Sequence, residues 1–272
     1  MGPSRITSLE AAAAYVDQVG ITVAWGKSDL VLPSLWQGIA GQEADWAVRD
    51  ESGKATEFTP EFRQLWRWKD ELPERRLACA GRHFNAAALL IAPRLLADAY
   101  ALTGRAGAAE DFRDDPELEA LEREVAEAVL ENGPLIAPEI RRVLATDDRK
   151  AVERAIKRLQ RRFVLTNAGA VEQSQGWSAI SQDLFARRWK RSLRRRPKED
   201  KARQALTLAV LDGAGEVSAA DVAVALGWRR KPTEGVLAEL VEQGKAAERE
   251  EAGLPLWQPK AAPDQRGRGS QR

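Results

Sequence analysis

The sequence predicts a mainly α-helical fold with small β-hairpin wings, in which tandem winged helix-turn-helix modules follow one another along the chain. Two stretches, residues 108–198 and 199–260, each show a pattern of three helices closed by a β-hairpin. A pattern that occurs twice in one chain is stronger evidence than a single copy. The composition is typical of a folded protein, since 44% of the residues are hydrophobic and 31% are charged.

The central segment, residues 108–198, gives the clearer copy of this pattern. Its predicted elements are a helix at 116–134, a short second helix within 135–144 that starts near Pro138, a third helix at 148–163 and a hairpin at 163–173. Gly133 and Pro134 end the first helix, and Asp147 or Asp148 provides the N-cap of the third. The dipeptide Ala168-Gly169 after Asn167 predicts the turn of the hairpin.

The C-terminal segment, residues 199–260, repeats the order. Its predicted elements are helices at 200–215, 216–228 and 231–245 and a hairpin at 245–259. Ser218 is the expected N-cap of the second helix, and Thr233, preceded by Pro232, is the expected N-cap of the third. Ala252 and Gly253 form the predicted hairpin turn. Beyond this segment, residues 261–272 lack apolar periodicity and are predicted to be disordered.

The N-terminal segment, residues 1–107, is less regular and is predicted to be a divergent winged-helix-like module. Within it, the run LWRWKDELPERRL contains Trp66 and Trp68, which lie two residues apart and cannot share one face of a helix. We therefore expect one tryptophan to be buried and the other to lie nearer the surface. The helix, capped by Thr59, is predicted to end at Pro73, because proline cannot continue it.

The charges are segregated along the chain, although the formal net charge is only +1. Residues 110–131 are strongly acidic, whereas residues 187–203 are strongly basic. Such an asymmetry is more informative about binding partners than the total charge.

The third helix of the central segment has two distinct faces. Its predicted buried face comprises Val152, Ile156, Leu159 and Phe163, and its opposite face comprises Lys150, Arg154, Lys157 and Arg161. In winged helix-turn-helix proteins this helix enters the major groove, where basic side chains meet phosphates and base edges. The alternative is an ordinary solvated face. The position of the stripe on the recognition helix favours binding to double-stranded DNA.

A second basic region, residues 185–203, is predicted to form a helix that contains Trp189 and ends at Pro197. Its candidate DNA-binding residues are Arg187, Arg188, Lys190, Arg191 and Arg194. The alternative is a solvated connector. The third helix of the C-terminal segment instead exposes Glu234, Glu239 and Glu242, which would repel phosphate, so this segment is predicted to pack or to bind a protein partner.

The composition excludes several classes of site. Cys79 is the only cysteine and His83 the only histidine, so we expect neither a disulfide framework nor a metal centre built from thiolates and imidazoles. No cofactor is predicted. No segment has the apolar length of a membrane span, and the first residues lack the apolar core of a signal peptide. We expect a cytoplasmic protein of bacterial type.

Several phrases carry a resemblance to a known family. These are LPSLWQGIAG (32–41), WRWKDELPERRLACAGR (66–82), LLADAYALTG (95–104), ENGPLIAPEIRRVL (131–144) and KAVERAIKRLQRRF (150–163). Together they resemble the AlkZ-related proteins, winged-helix relatives of the AlkZ/YcaQ DNA glycosylases that unhook interstrand crosslinks. The resemblance implies tandem winged-helix modules curved around DNA.

The resemblance does not extend to the catalytic motif of those glycosylases, a glutamine, one spacer and an acidic residue or second glutamine in the N-terminal module. No Gln-x-Asp occurs in this chain, and its only Gln-x-Gln is Gln173-Ser174-Gln175, in the expected wing of the central segment. The resemblance therefore implies the fold and DNA, and it does not imply the enzymatic activity.

Three hypotheses follow from the sequence. The leading one is a DNA-binding protein of tandem winged-helix modules, non-enzymatic or of unproven activity, for which the resemblance implies a role in DNA repair or genome maintenance. The first alternative is a DNA glycosylase acting on alkylated or crosslinked DNA, whose acid or base would be Asp70, Glu71 or His83. The second alternative is a protein–protein scaffold, which the acidic helix of the C-terminal segment would favour.

Overall fold

The computed structural model of the 272-residue chain describes residues 5–25, 30–41, 44–84, 88–173 and 178–260. The fold is mainly helical and contains small antiparallel sheets. The predicted disordered tail, residues 261–272, lies outside the described residues, as do Ser174 and Gln175 of the Gln-x-Gln sequence.

The N-terminal segment combines short helices with two small sheets. Its elements are α1 (Leu9–Val19), β1 (Ile21–Val23), α2 (Leu35–Ala40), β2 (Ala47–Arg49), β3 (Ala55–Phe58), α3 (Pro60–Glu74), β4 (Cys79–Gly81), β5 (Leu89–Ile91) and α4 (Leu96–Ala101). Strands β1, β5 and β4 form one antiparallel sheet in that order, and β2 and β3 form a hairpin. The predicted N-cap Thr59 is confirmed, since its side chain accepts a hydrogen bond from the backbone N–H of Phe62.

The central segment has three helices followed by a hairpin. Its elements are α5 (Ala120–Asn132), β6 (Leu135–Ile136), α6 (Ala137–Val143), α7 (Arg149–Arg161), β7 (Leu165–Val171), β8 (Ala179–Leu184) and α8 (Phe185–Arg188). Strand β8 lies between β6 and β7 in an antiparallel sheet. The N-cap of α7 is Asp148, one of the two predicted candidates, whose carboxylate accepts a hydrogen bond from the N–H of Ala151.

The predicted hairpin turn at residues 167–169 is wrong. These residues lie within β7, where the pairing register shifts between Asn167 and Gly169. Gly169 has a φ of +128°, and a Cβ atom at this position would lie 3.1 Å from the Cβ of Glu74 in α3. The turn chemistry of the sequence therefore produces a bulge that brings β7 against the end of α3.

The predicted basic helix at residues 185–197 is also wrong. Its buried residues, Phe185, Trp189 and Leu193, do have helical spacing, but α8 ends at Arg188 and only a short 3₁₀ turn, Ser192–Arg194, follows. After α8 the path of the chain is set by tertiary contacts, since Leu193 is buried in a core cluster and Arg195 pairs with Asp98 of α4.

The C-terminal segment contains α9 (Glu199–Ala214), α10 (Ala219–Leu226), α11 (Arg230–Glu242), β9 (Ala246–Glu251) and β10 (Leu254–Pro259). Ser218 caps α10 as predicted, and the hairpin turn at Ala252 and Gly253 is confirmed by positive φ angles of 50° and 79°. The predicted cap of α11 is wrong. The helix begins at Arg230, and Thr233 is buried in its first turn, where its hydroxyl donates to the carbonyl of Arg229.

The apolar core joins all three segments. One cluster of buried side chains contains Ile91 and Tyr100 from the N-terminal segment, Phe185 from the central segment and Leu206 and Leu237 from the C-terminal segment. Two further clusters lie within the N-terminal and central segments, respectively. The segments are therefore packed against one another through a shared core.

The two tryptophans of α3 divide as predicted. Trp68 is 2% exposed and belongs to the core of the N-terminal segment, whereas Trp66 is only partly buried. The helix ends at Glu74, one residue beyond the predicted Pro73, which lies in its last turn. The side chain of Arg188 donates hydrogen bonds to the carbonyls of Pro73 and Glu74 at the end of the helix, where the Pro73 carbonyl also accepts the backbone N–H of Arg76.

We expect Trp68→Ala to lower the free energy of unfolding by about 3–5 kcal/mol, because it would leave a cavity in the core. Glu71→Ala on the same helix is the control. Glu71 is partly exposed and makes ion pairs at 3.3 Å with Arg67 and 3.8 Å with Arg75, so its removal should cost less than about 1 kcal/mol. Chemical denaturation of both variants measures the difference, and equal losses would contradict the assignment of Trp68 to the core.

Candidate nucleic-acid interface

The two faces of α7 are those that its sequence predicts. Val152, Ile156, Leu159 and the following Phe163 are buried in the apolar clusters. On the opposite side, the four predicted DNA-binding side chains are exposed: Lys150, Arg154, Lys157 and Arg161. We call these four residues the basic stripe.

The basic stripe differs from the other arginines of α7 in its ion pairing. Arg149 pairs with Glu153 at 2.7 Å, Arg158 with Glu119 and Glu122 at 2.6 Å, and Arg162, just after the helix, with Asp115 at 2.7 Å. Within the described part of the chain, none of the four stripe residues makes an ion pair. Their charges are therefore available to an external anion.

A cleft of about 460 Å³ lies beside the basic stripe, between the N-terminal and central segments. Its N-terminal wall comes from the aromatic and charged residues of α3 and from β4 and β5, and its other wall comes from α6, α7, β7 and β8. Lys157 belongs both to the stripe and to the wall of the cleft. We refer to this feature as the inter-segment cleft.

The inter-segment cleft is organised by a buried amide. The backbone N–H of Arg82 donates to Oε1 of Gln160 at 2.7 Å, so the Nε2 of Gln160 must be the donor to its other neighbours. That Nε2 donates to Oδ1 of Asn167 at 2.7 Å and to Oε1 of Gln182 at 2.6 Å. The Nε2 of Gln182 also donates to Oδ1 of Asn167, at 3.3 Å.

This chain of hydrogen bonds determines the orientation of the Asn167 amide. Its oxygen accepts two hydrogen bonds, so its Nδ2 is directed elsewhere, and that nitrogen has no partner among the residues that the structure describes. Asn167 is partly exposed and lines the cleft. A hydrogen-bond donor is therefore available in the cleft wall.

Asp70 and Lys69 lie on the opposite wall. The ammonium of Lys69 donates to both carboxylate oxygens of Asp70 at 2.8 Å, and it also lies 4.2 Å from the ring centre of Trp66. Burial raises the pKa of the Asp70 carboxyl above its ordinary value, an effect that the hydrogen bond and charge of Lys69 partly offset. Trp25 completes this wall, with its ring centre 5.8 Å from that of Trp66.

The lone histidine is part of the interior. His83 is fully buried, its ring stacks on Phe163 at 4.6 Å, and its Nδ1 lies 2.7 Å from the carbonyl oxygen of Gln160. Burial lowers the pKa of His83 to about 4, so the imidazole is neutral at pH 7 and its Nδ1–H donates to that carbonyl. The Cys79 thiol beside it is also fully buried, and burial raises its pKa to about 12.

The three candidate acid or base residues therefore lie in different environments. His83 is sealed in the core, and Glu71 pairs with Arg67 and Arg75 outside the inter-segment cleft. Of these three, only Asp70 lines the cleft.

Two of the predicted DNA-binding arginines have internal partners. Arg187 pairs with Asp183 at 2.7 Å and donates to the carbonyls of Val129 and Leu130, at the end of α5. Arg188 is buried and donates to the end of α3. Both side chains are occupied in joining elements of the fold, which leaves neither free to meet a phosphate.

The remaining basic candidates, Lys190, Arg191 and Arg194, are exposed and make no ion pair within the described ranges. They lie in the connection from α8 to α9, where the neighbouring Arg195 pairs with Asp98 of α4. A larger cavity of about 750 Å³ includes Arg161, but acidic side chains such as Asp111, Asp115 and Glu117 also line it, so it is poorly suited to a phosphate.

The acidic side chains of α11 are partly engaged within the fold. Glu234 pairs with Arg230 at 2.8 Å, and Glu239 accepts a hydrogen bond from Gln204 of α9. Glu242 has an exposed position at the end of the helix. No basic stripe comparable to that of α7 is found on this helix.

Sequence reasoning missed Gln160, Asn167 and Gln182. One signal was available, because Gln160 follows Ile156 by one helical turn and therefore lies on the buried face of α7. A polar residue at such a position needs hydrogen-bond partners. Those partners come from two other segments of chain, and the local sequence does not identify them.

Among the described residues, no helix is long and apolar enough to cross a membrane, and no group of three or more potential metal ligands is assembled. The model of the family described as AlkZ related matches residues 6–224, most of the chain. The chain belongs to the AlkZ-related family. No curated protein sequence matches it.

The solved structure of the DNA glycosylase AlkZ from Streptomyces sahachiroi is similar to this AlkZ-related chain, with a TM-score of 0.56 and 16% sequence identity. The similarity covers 95% of this chain and 66% of the AlkZ chain, so this chain spans just under two thirds of that protein. At this level of identity the similarity shows a shared fold.

We expect the protein to lose stability as the pH falls from about 6.5 to about 4. The pKa of His83 is about 4 in the folded protein against an ordinary 6.5, so in this window the unfolded chain binds a proton that the folded chain does not. The contribution is fully present above pH 6.5, and its loss is at most about 3–4 kcal/mol.

His83→Gln tests this effect, because glutamine cannot titrate. Urea unfolding at about pH 7, 5.5 and 4.5 should show a smaller loss of stability for the variant than for the wild type across the window. Equal losses would mean that His83 is protonated in the folded protein, contrary to its buried environment.

Proposed function

We propose that this protein binds double-stranded DNA in a DNA repair or genome maintenance process, with α7 as the recognition helix. The observation that carries the proposal is the basic stripe, in which four exposed cations of one helix face lack ion pairs within the described chain, while the other arginines of that helix have them. Membership of the AlkZ-related family and the fold shared with a DNA glycosylase support a role on DNA.

The proposal includes the winged-helix arrangement. In the central module, residues 108–198, α5, α6 and α7 would form the three-helix unit and β7 and β8 its wing. In the C-terminal module, residues 199–260, α9, α10 and α11 and the β9–β10 hairpin follow the same order. The N-terminal module, residues 1–107, would be a divergent copy, since strands interrupt its helices.

Phosphate contacts would supply most of the affinity. Each stripe residue that neutralises a phosphate releases counterions from the duplex, and this release makes binding sensitive to salt. Lys190, Arg191 and Arg194 are proposed to extend the contact along the backbone. Arg187 and Arg188 would contribute indirectly, by joining α5 and α3 to the central module.

The C-terminal module would have a different task. The acidic side chains of α11 oppose contact with phosphate, so the module is proposed to pack against the rest of the fold and to offer a surface to a protein partner. Its helix α9 packs on the N-terminal segment, where a Cβ atom at Gly20 would lie 3.0 Å from the Cβ of Ala209.

We expect duplex DNA to bind with a steep salt dependence. Changing Lys150, Arg154, Lys157 and Arg161 together to alanine should flatten the slope of log K against log salt by about three to four units, because each phosphate that is no longer neutralised removes roughly one unit. Fluorescence anisotropy with one duplex at several salt concentrations measures both slopes.

A single-residue comparison provides the matched control. Arg154→Ala should reduce the slope by about one unit, whereas Arg149→Ala on the same helix should leave it unchanged, because Arg149 is already paired with Glu153. Glu239→Ala with Glu242→Ala should not weaken binding. A quadruple variant that binds like the wild type at every salt concentration would refute the recognition-helix proposal.

One observation favours a second candidate function, that of a DNA glycosylase. Asp70 lines a cleft beside the basic stripe, and burial raises the pKa of its carboxyl, a common property of residues that exchange protons in catalysis. In this alternative an extruded damaged base would enter the inter-segment cleft, and Asp70 would act as the acid or base.

An excision assay on alkylated and crosslinked duplexes tests the second candidate. Base release that is abolished by Asp70→Asn and retained by Glu71→Gln would support it, because Glu71 lies outside the cleft and serves as the matched carboxylate. If the wild type releases no base from these substrates, or if both variants behave alike, the assignment of Asp70 fails.

A further inference from the structure

We propose that the inter-segment cleft holds a single unpaired nucleobase of a DNA strand whose backbone lies along α7. This inference rests on the proposed DNA-binding function and specifies the kind of DNA that the same surface prefers. It concerns recognition alone and requires no chemical step.

The cleft has the size and composition of a site for a small planar group. Its volume of about 460 Å³ falls within the range of about 300–1,000 Å³ that is usual for small-molecule sites. Its walls combine apolar side chains such as Ile156, Ile180 and Leu90 with a small number of polar groups. A site of this kind can accommodate a flat ring between its apolar walls, and its polar groups distinguish one ring from another by the donors and acceptors at the edge of the ring.

Aromatic side chains line one wall. The rings of Trp25 and Trp66 both border the cleft, and Phe62 supports each of them, with ring centres at 5.1 and 5.9 Å. The ammonium of Lys69 also lies over the Trp66 ring, and a base that stacks there would shift it along the ring while it keeps its ion pair with Asp70. Stacking on aromatic rings is the usual way in which proteins hold unpaired bases.

Polar groups for the edge of a base lie on both walls. Asn167 presents an amide nitrogen that lacks a partner within the described chain, and Asp70 presents a carboxylate across the cleft. A base edge carries both acceptors and donors, so it can pair with an amide donor and a carboxylate together. The amide is held in one orientation by Gln160, so little entropy is lost when a base binds.

The position of Lys157 connects this site to the DNA backbone. The residue lies in the basic stripe and in the wall of the cleft, so a phosphate bound there is followed along its strand by a base at the entrance. A duplex in which every base is paired cannot supply that base without breaking a pair, whereas a bulged nucleotide can.

The experiment compares two duplexes that differ by one bulged thymidine. The wild type should bind the bulged duplex between about five- and one-hundred-fold more tightly than the paired one, the range expected for one base stacked on an aromatic ring. Bound protein should also protect the bulged thymine from permanganate, which attacks unstacked thymine. Free thymidine monophosphate serves as a competitor that lacks the neighbouring strand.

One variant in the cleft and one control outside it test the position of the site. Trp66→Ala should reduce the preference for the bulge towards unity and remove the permanganate protection, while the affinity for paired duplex is retained. Trp228→Ala is the matched control, because Trp228 is also a partly exposed tryptophan with a cation over its ring, Arg203 at 5.0 Å, and it borders the larger cavity instead.

Asn167→Asp keeps an oxygen for Gln160 and Gln182, removes the free amide donor and adds a negative charge. Because that charge would repel both duplexes, the measured quantity is the ratio of the two affinities. This variant should reduce the preference for the bulge even if Trp66→Ala fails to fold. A preference that survives both cleft variants, or that falls equally in Trp228→Ala, would overturn the proposal.

The remaining outcomes distinguish a failure of the proposed base site from a failure of the proposed DNA-binding function. Salt-dependent binding of paired duplex without any preference for the bulge would refute the base site and leave the proposed function standing. Absence of binding to either duplex would refute both. Binding of thymidine monophosphate as tight as that of the bulged duplex would refute the connection to a DNA strand.

Discussion

The arrangement of the molecule around its cleft depends on the side-chain amide of Gln160. A buried amide that lost its hydrogen bonds would be costly, so the groups that pair with it must be held in place. Those groups come from the loop after β4 and from both strands of the β7–β8 hairpin, while the carbonyl of the same residue receives His83. One residue at the end of α7 thus sets the position of two chain segments and, with them, both walls of the cleft.

Helix α7 therefore performs two tasks that the same geometry makes compatible. Its apolar side and Gln160 attach it to the interior, which leaves the opposite side to carry charge. The basic stripe and one wall of the cleft lie on this same helix, and Lys157 belongs to both. His83 contacts the carbonyl of Gln160 in α7, and because its pKa is lowered to about 4 it places no positive charge beneath the basic stripe at pH 7. A surface built in this way can contact the backbone of a DNA strand with the basic stripe and offer the neighbouring cleft to a base of that strand.

The sequence predicted the elements that depend on local patterns. Apolar spacing located the helices, and the short polar side chains of Ser218, Asp148 and Thr59 marked where three of them begin. It failed where tertiary contacts decide the outcome. Gly169 is typical of a turn, but it lies in a β-bulge where Glu74 of α3 approaches closely. Arg188 is typical of an exposed cation, but it is buried because it hydrogen-bonds to the end of α3. The residues next to an arginine or an amide in the sequence do not reveal its long-range partners. The basic stripe could therefore be predicted from helical spacing, whereas the inter-segment cleft, which depends on such partners, could not.

The shared core has a consequence for how this architecture can change. Side chains from all three segments meet around Phe185 and Tyr100, whose rings stack at 5.5 Å, so each segment provides part of the apolar covering of the others. A segment moved alone into another protein would carry an uncovered apolar face with it. The three segments are therefore not interchangeable units, because each depends on the others to cover its apolar surface. Substitutions that leave this shared core intact are those at outward-facing positions, such as Lys150 and Arg154.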